Sequence, residues 1–102
     1  MSFDRSGEFD DVLEDGMVQG PISIGTTETA IRVGGSNLEG REVVRIYNNS
    51  STIIYLGPSG VTPATGEPLR RRQSAELPLG EAIDLFGIVA SGSANAIVWE
   101  FA

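Results

Sequence analysis

The side chains in this sequence that could do chemistry are almost all carboxylates and guanidinium groups. The 102 residues contain no Cys and no His, and all seven basic residues are arginines. Thiolate nucleophiles, thiolate zinc sites and the commonest general base near neutral pH are therefore excluded, and the lack of Lys excludes Schiff-base chemistry. What remains is a pair of acids, as in a glycosidase, or a Ca²⁺ or Mg²⁺ site built from oxygen ligands.

Neither of these possibilities has a supporting pattern in the sequence. Glu76 and Glu81 are candidates for a catalytic pair, but nothing brings two acids together or tunes them. The acidic pairs Asp10-Asp11 and Glu14-Asp15 lack the glycine and the oxygen spacing of a calcium loop. We therefore predict no catalytic residue, no metal and no cofactor, and a protein that is not an enzyme.

Charge is distributed unevenly along the chain. The net charge is −7, and residues 1–20 supply −5 of it through six acidic residues and Arg5. Such an acidic chain repels phosphate backbones, so we expect no nucleic-acid partner. The densest positive run is Arg70-Arg71-Arg72, which is either a solvated turn or a site that pairs with carboxylates in bidentate fashion. In the second case its partner is the acidic segment of another subunit or an acidic patch on a larger protein.

The acidic segment, residues 1–20, also contains scattered apolar residues. Segments with high charge and few apolar residues are typical of disordered tails. Segments with isolated aromatic anchors also fold on binding a partner. We favour an extended acidic arm over residues 1–20 that becomes ordered on a neighbouring subunit, with Phe3, Phe9 and Leu13 as contacts.

Residues 21–102 alternate between strand and turn patterns. The 13 glycines and 5 prolines favour a turn-rich all-β domain. Residues 41–62 predict a hairpin whose two strands are joined by an Asn-Asn-Ser-Ser turn, and residues 57–68 predict a long surface loop or a tight double turn. The strand parity places Val44, Ile46, Ile54 and Leu56 in the core. The predicted fold is a compact antiparallel β-sandwich or barrel.

The strands near the C-terminus are apolar on both faces. In the last strand Ala96 and Val98 lie on one parity, and Ile97, Trp99 and Phe101 on the other. The sequence has no convincing helix to cover a second apolar face. That face is covered either by the N-terminal segment of the same chain or by another subunit, and we favour the subunit because soluble monomers rarely expose a contiguous aromatic patch.

No apolar run is long enough to span a bilayer, and the N-terminus lacks the pattern of a secretory signal. We therefore expect no membrane partner, and a protein that is used in the cytoplasm or assembled there into something larger.

Four stretches of residues 22–100 resemble a small β-domain that is common among structural proteins of tailed-bacteriophage virions. They are "ISIGTTETAIRV", "GREVVRIYNNS", "IYLGPSGVTPATGEPL" and "LPLGEAIDLFGIVASGSANAIVWE". Each piece alone is ordinary strand or turn chemistry, and the resemblance lies in the order of the pieces. The chain departs from the pattern at Arg70-Arg71-Arg72, where small residues and Gly are more usual, and in the acidic arm.

The resemblance implies an antiparallel β-sandwich or barrel that serves as a building block of a virion assembled in the host cytoplasm. The small size and the separate arm fit a capsid decoration (cement) protein, which binds the major capsid protein as a trimer or dimer. A tail, neck or fibre-base component is the alternative within the virion. The expected contact residues are Phe3, Phe9, Leu13, Arg70, Arg71, Arg72, Ile97, Trp99 and Phe101.

A different class of function also fits the aromatic residues. Tyr47, Tyr55 and Trp99 could stack on sugar rings in a carbohydrate-binding or adhesion module. Binding of glycans by the isolated domain favours that reading, whereas copurification with phage particles favours a virion protein.

Overall fold

Eight strands account for the regular structure of residues 16–102, the part of the chain that this computed structural model describes. β1 spans Met17–Ile24, β2 Thr29–Ala30, β3 Val43–Asn48, β4 Ile54–Gly57, β5 Glu67–Leu69, β6 Ser74–Leu77, β7 Phe86–Ile88 and β8 Ala94–Phe101. The first sheet has the order β1-β8-β3-β6, and the second sheet has the order β2-β7-β4-β5. All neighbouring strands are antiparallel. The all-β fold and the compact β-sandwich are therefore confirmed. No helix capable of crossing a bilayer occurs in this part of the chain.

The core lies between the two sheets and follows the period of two that strands impose on their side chains. The four predicted core residues are confirmed: Val44, Ile46 and Ile54 are fully buried, and Leu56 is nearly so. In β8 the buried positions are Ala94, Ala96, Val98 and Glu100. Edge strand β6 contributes the partly buried residues Ala75 and Leu77 to this core.

The predicted hairpin over residues 41–62 is wrong. β3 pairs with β6 and β8, whereas β4 pairs with β5 and β7 in the other sheet. Residues 49–53 therefore carry the chain from one sheet to the other. The Asn48 side-chain amide stabilises this crossing, because its Nδ2 donates to the carbonyls of Thr52 (2.7 Å) and Leu69 (2.9 Å). Both arrangements bury the same alternate side chains in one core, so the apolar pattern could not separate them.

The first strand begins earlier than the predicted boundary between the arm and the domain. β1 starts at Met17, so residues 17–20 lie in a strand rather than in the arm. This strand pairs with β8 along its whole length, from Met17 opposite Phe101 to Ile24 opposite Ala94. Gly20 and Pro21 obscure the strand in the sequence, but β1 is an edge strand, where Pro is tolerated. Phe3, Phe9 and Leu13 lie outside the described residues.

Candidate interaction surfaces

The outer face of the first sheet carries the predicted contact residues of β8. Ile97, Trp99 and Phe101 alternate with core residues and therefore all point away from the core. The strand register extends this face over β1 and β3. Its rows are Met17, Phe101 and Val43, then Gln19, Trp99 and Arg45, then Pro21, Ile97 and Tyr47. We call these nine residues the apolar face.

The apolar face is partly open to solvent. Met17 is 38% exposed, and the side chains of Ile97, Trp99 and Phe101 are half-buried. The Arg45 guanidinium lies over the Trp99 ring, 4.7 Å from its centroid. A cation–π contact of this kind contributes about 0.5–1 kcal/mol at an exposed site. Arg45 thus fixes the indole against the sheet while the aromatic surface stays partly accessible.

Part of the outer face of the second sheet is covered by a loop of the chain itself. Residues 58–66, most of the predicted surface loop, fold back so that Val61 is only 5% exposed. A Cβ added to Gly57 would lie 2.8 Å from Cγ2 of Val61, and one added to Gly66 would lie 2.7 Å from Cβ of Tyr55. These two glycines are therefore what lets the loop approach the sheet. Both outer faces therefore carry half-buried aromatic residues, Tyr55 and Phe86 on the second sheet and Trp99 and Phe101 on the first, and the described loop packs against the second sheet at Gly57 and Tyr55.

The arginine run forms the turn between β5 and β6. Arg70 and Gln73 close it, since the Gln73 N–H donates to the Arg70 carbonyl (3.0 Å) and the Arg70 N–H to Oε1 of Gln73 (2.8 Å). Arg72, at the third position, has φ 62°. A positive φ there is the geometry of a turn that favours Gly. Arg70, Arg71 and Arg72 are all exposed.

The arginine turn lies against the crossing between β3 and β4. The Arg72 N–H donates to the Asn48 carbonyl (2.9 Å), and the Asn48 N–H donates to the Gln73 carbonyl (2.9 Å). The two segments enclose a polar cleft of about 250 Å³. Its lining residues, which define what we call the basic cleft, are Asn49, Ser50, Ser51, Arg71 and Arg72.

A buried ion pair at the other end of the sandwich was missed in the sequence. Nη1 of Arg41 lies 2.9 Å from Oε1 of Glu100, and both side chains are fully buried. Glu100 also accepts the N–H groups of Val33 (2.8 Å) and Leu38 (3.0 Å). The guanidinium donates to the backbone carbonyls of Leu79, Gly80 and Ile83. This network joins the loops 31–42 and 78–85 to β8, and its role is structural.

The residues weighed for catalysis and for sugar binding do not come together. Glu76 in β6 pairs in register with Arg45, whereas the Glu81 carboxylate accepts the Gly40 N–H (2.8 Å) in the loop at the end of the sandwich. Tyr47 and Trp99 share the apolar face, but Tyr55 lies in the second sheet. Among residues 16–102 no group of three or more acidic residues is placed to hold a metal ion.

Comparison with known proteins supports the fold alone. No family model matches the sequence, and no curated protein matches it. The crystal structure of protein NMB1881 from Neisseria meningitidis is similar, with a TM-score of 0.53 and 8% sequence identity over 85% of this chain and 76% of that one. At that identity the two chains share an architecture, and no activity or partner follows from the likeness.

Proposed function

We propose that this protein is a structural component of a tailed-phage virion, with capsid decoration as its role and the apolar face as its attachment surface. The observation that carries the proposal is the row of half-buried apolar side chains Ile97, Trp99 and Phe101 on the outer face of a sheet whose strands are paired on both sides of β8. The order of motifs over residues 22–100 supplies the virion context. In this role the protein works as a homo-oligomer, a trimer or dimer, on the lattice of the major capsid protein.

The composition of the apolar face suits a contact between proteins. Trp, Tyr and Arg are the residues enriched at interface hot spots, and Trp99, Tyr47 and Arg45 lie together here. Aromatic side chains provide large contact areas at a low entropic cost, because few of their torsions are free. The face is built on paired strands, so the partner meets a surface whose geometry is already set.

A β-sandwich domain without Cys, His or Lys side chains also suits attachment to a capsid. A lattice offers many identical sites related by symmetry, so a contact that is weak for one copy becomes firm when copies are linked. Such a role needs register and surface rather than reactive groups. In residues 16–102 the buried charged pair Arg41–Glu100 holds loops in place through hydrogen bonds to their backbone.

The direct test is to ask whether the protein is in the particle and whether the apolar face holds it there. Mass spectrometry of purified virions of the encoding phage should detect the chain, and cryo-electron microscopy should place it on the head. Purified protein added to undecorated capsids should bind, and Trp99→Ala should weaken that binding about thirtyfold, as loss of a 2 kcal/mol hot spot predicts.

A matched control separates attachment from general surface hydrophobicity. Ile83 is 54% exposed, more than Met17 at 38%, and lies outside the apolar face. Ile83→Ala should leave capsid binding unchanged. Absence of the chain from virions contradicts the proposal, as does equal binding of Trp99→Ala and the wild type. Density at the tail, neck or fibre base instead of the head would replace decoration with the other virion role.

A further inference from the structure

The turn that carries the arginines keeps a charged side chain where the backbone favours glycine. Arg72 has φ 62°, a conformation that is disfavoured for residues with a Cβ and readily adopted by Gly. Strained positions of this kind cluster at binding sites and switch regions. An arginine at this position therefore points to a use for its charge.

The residues that line the basic cleft supply hydrogen-bond donors, and none of the five is acidic. Ser and Asn side chains from the crossing line one wall, and Arg71 and Arg72 line the other. A guanidinium binds a carboxylate through two parallel hydrogen bonds, and the Ser51 hydroxyl and the Asn49 amide add further donors, whereas the Ser50 hydroxyl already donates to Asn48. The volume of about 250 Å³ corresponds to roughly eight water molecules, enough for a carboxylate side chain.

We propose that the basic cleft binds carboxylates of the acidic segment, residues 1–15, of a second copy of this chain. That segment carries six acidic residues and one arginine, so its charge is complementary to that of the cleft. The adjacent acids Asp10-Asp11 and Glu14-Asp15 offer two carboxylates at a time to two arginines. The contact does not depend on the apolar face, and it holds whether or not the protein is part of a virion.

Covalent reach puts the two acids next to β1 out of range of the cleft of their own chain. Met17 aligns with Phe101 and Val43, at the end of β3 opposite Asn48 and the cleft. The cleft lies roughly 17 Å along β3 and roughly 10 Å across two strand spacings from Met17. Glu14 and Asp15 precede Met17 by three residues or fewer, which allows at most about 11 Å of chain. These two acids therefore fall short of the cleft of their own chain and can reach only that of another copy. Asp10 and Asp11 precede Met17 by seven and six residues, which allows up to about 25 Å of chain, so they can reach either cleft.

Analytical ultracentrifugation of the full chain tests the contact. The first variant, Arg71→Ser with Arg72→Gly, removes the charges of the cleft. The second, Asp10→Asn, Asp11→Asn, Glu14→Gln and Asp15→Asn, removes four charges from the segment. At low salt we expect the wild type to associate, each variant alone to associate at least about tenfold more weakly, and a 1:1 mixture of the two variants to regain a hetero-complex. Association of the wild type should weaken as the salt concentration rises.

The mixture is the decisive measurement because the cleft variant keeps the acidic segment and the segment variant keeps the basic cleft. One complete contact can therefore form between the two variants. The proposal is overturned if the wild type stays monomeric at low salt, if either variant alone associates as the wild type does, or if the mixture recovers nothing. Association that ignores salt and both sets of substitutions would assign the contact to the apolar face. Circular dichroism and urea unfolding of each variant establish that it is folded, and Arg71→Gln provides a cleft variant that leaves Arg72 in place.

Discussion

The two ends of the sandwich use arginine in opposite ways. At one end Arg41 is 2% exposed, and its donors are matched by Glu100 and by backbone carbonyls. At the other end Arg71 and Arg72 are exposed, and Arg72 is held at a positive φ. A buried guanidinium is tolerated only because nearly every donor has a partner. The exposed guanidinium groups of Arg71 and Arg72 make no comparable contribution to the stability of the fold. We therefore infer that they serve in binding.

The largest effect should come from Glu100→Gln at the buried end. Each carboxylate oxygen of Glu100 accepts hydrogen bonds, Oε2 from Val33 and Oε1 from Leu38 and Arg41. The amide of Gln turns one of these acceptors into a donor that faces a donor, and it leaves the Arg41 charge uncompensated. Breaking a buried pair in this way costs about 3–5 kcal/mol. We expect the free energy of unfolding from urea titration to fall by that amount, with a lower midpoint and an unchanged slope of the transition.

Glu67→Gln is the matched control for that substitution. Glu67 is exposed at the start of β5, so the same chemical change should shift stability by less than about 0.5 kcal/mol. Equal effects of the two substitutions would show that the buried pair is not what holds this end together. Replacing Arg41 and Glu100 together by apolar residues should not restore stability, because the backbone groups of Val33, Leu38 and Leu79 would then lose their partners.

A smaller loss is expected from Asn48→Ala at the arginine-turn end. The Asn48 side chain is fully buried and donates to the Thr52 and Leu69 carbonyls, which ties β3 to the second sheet. Truncation leaves a buried carbonyl without its donor and removes packed atoms, at about 2–3 kcal/mol. Thermal unfolding measures this. The neighbouring Asn49 is exposed, and Asn49→Ala should be nearly silent; similar losses in both would mean that the crossing does not depend on the buried amide.

The strands and much of the core could be predicted from the sequence, because side-chain parity is local. Val44, Ile46 and the split of β8 into inner and outer residues follow from a period of two. The pairing partners of β3 and β4 could not be predicted, since a hairpin and a crossing between sheets bury the same side chains. Gly20 and Pro21 concealed the start of β1 because an edge strand tolerates residues that a central strand does not.

The Arg41–Glu100 pair could not be predicted as a pair, because its members are 59 residues apart. One signal did exist. Glu100 lies on the same parity as Ala96 and Val98, so an inward-facing acid was readable as a buried charge in need of a cation. The basic cleft needed the fold as well, since only the crossing at Asn48 brings residues 49–51 to the arginine turn.

The smallest effect, and the one of opposite sign, should come from Arg72→Gly. The φ of 62° costs an arginine about 1–2 kcal/mol, and Gly recovers this less the entropy that it adds to the unfolded chain, which leaves a gain of about 0.5–1 kcal/mol. Differential scanning calorimetry should show a melting temperature about 3–6 °C higher. Arg71→Gly relieves no positive φ and should lower the melting temperature, since only the entropic term remains. If Arg72→Gly is no more stable than Arg71→Gly, the turn is not strained. The exposed arginine turn would then cost the fold no stability, and the contrast with the buried Arg41 would concern burial alone. A more stable variant that no longer associates would instead show that this end gives up stability for binding.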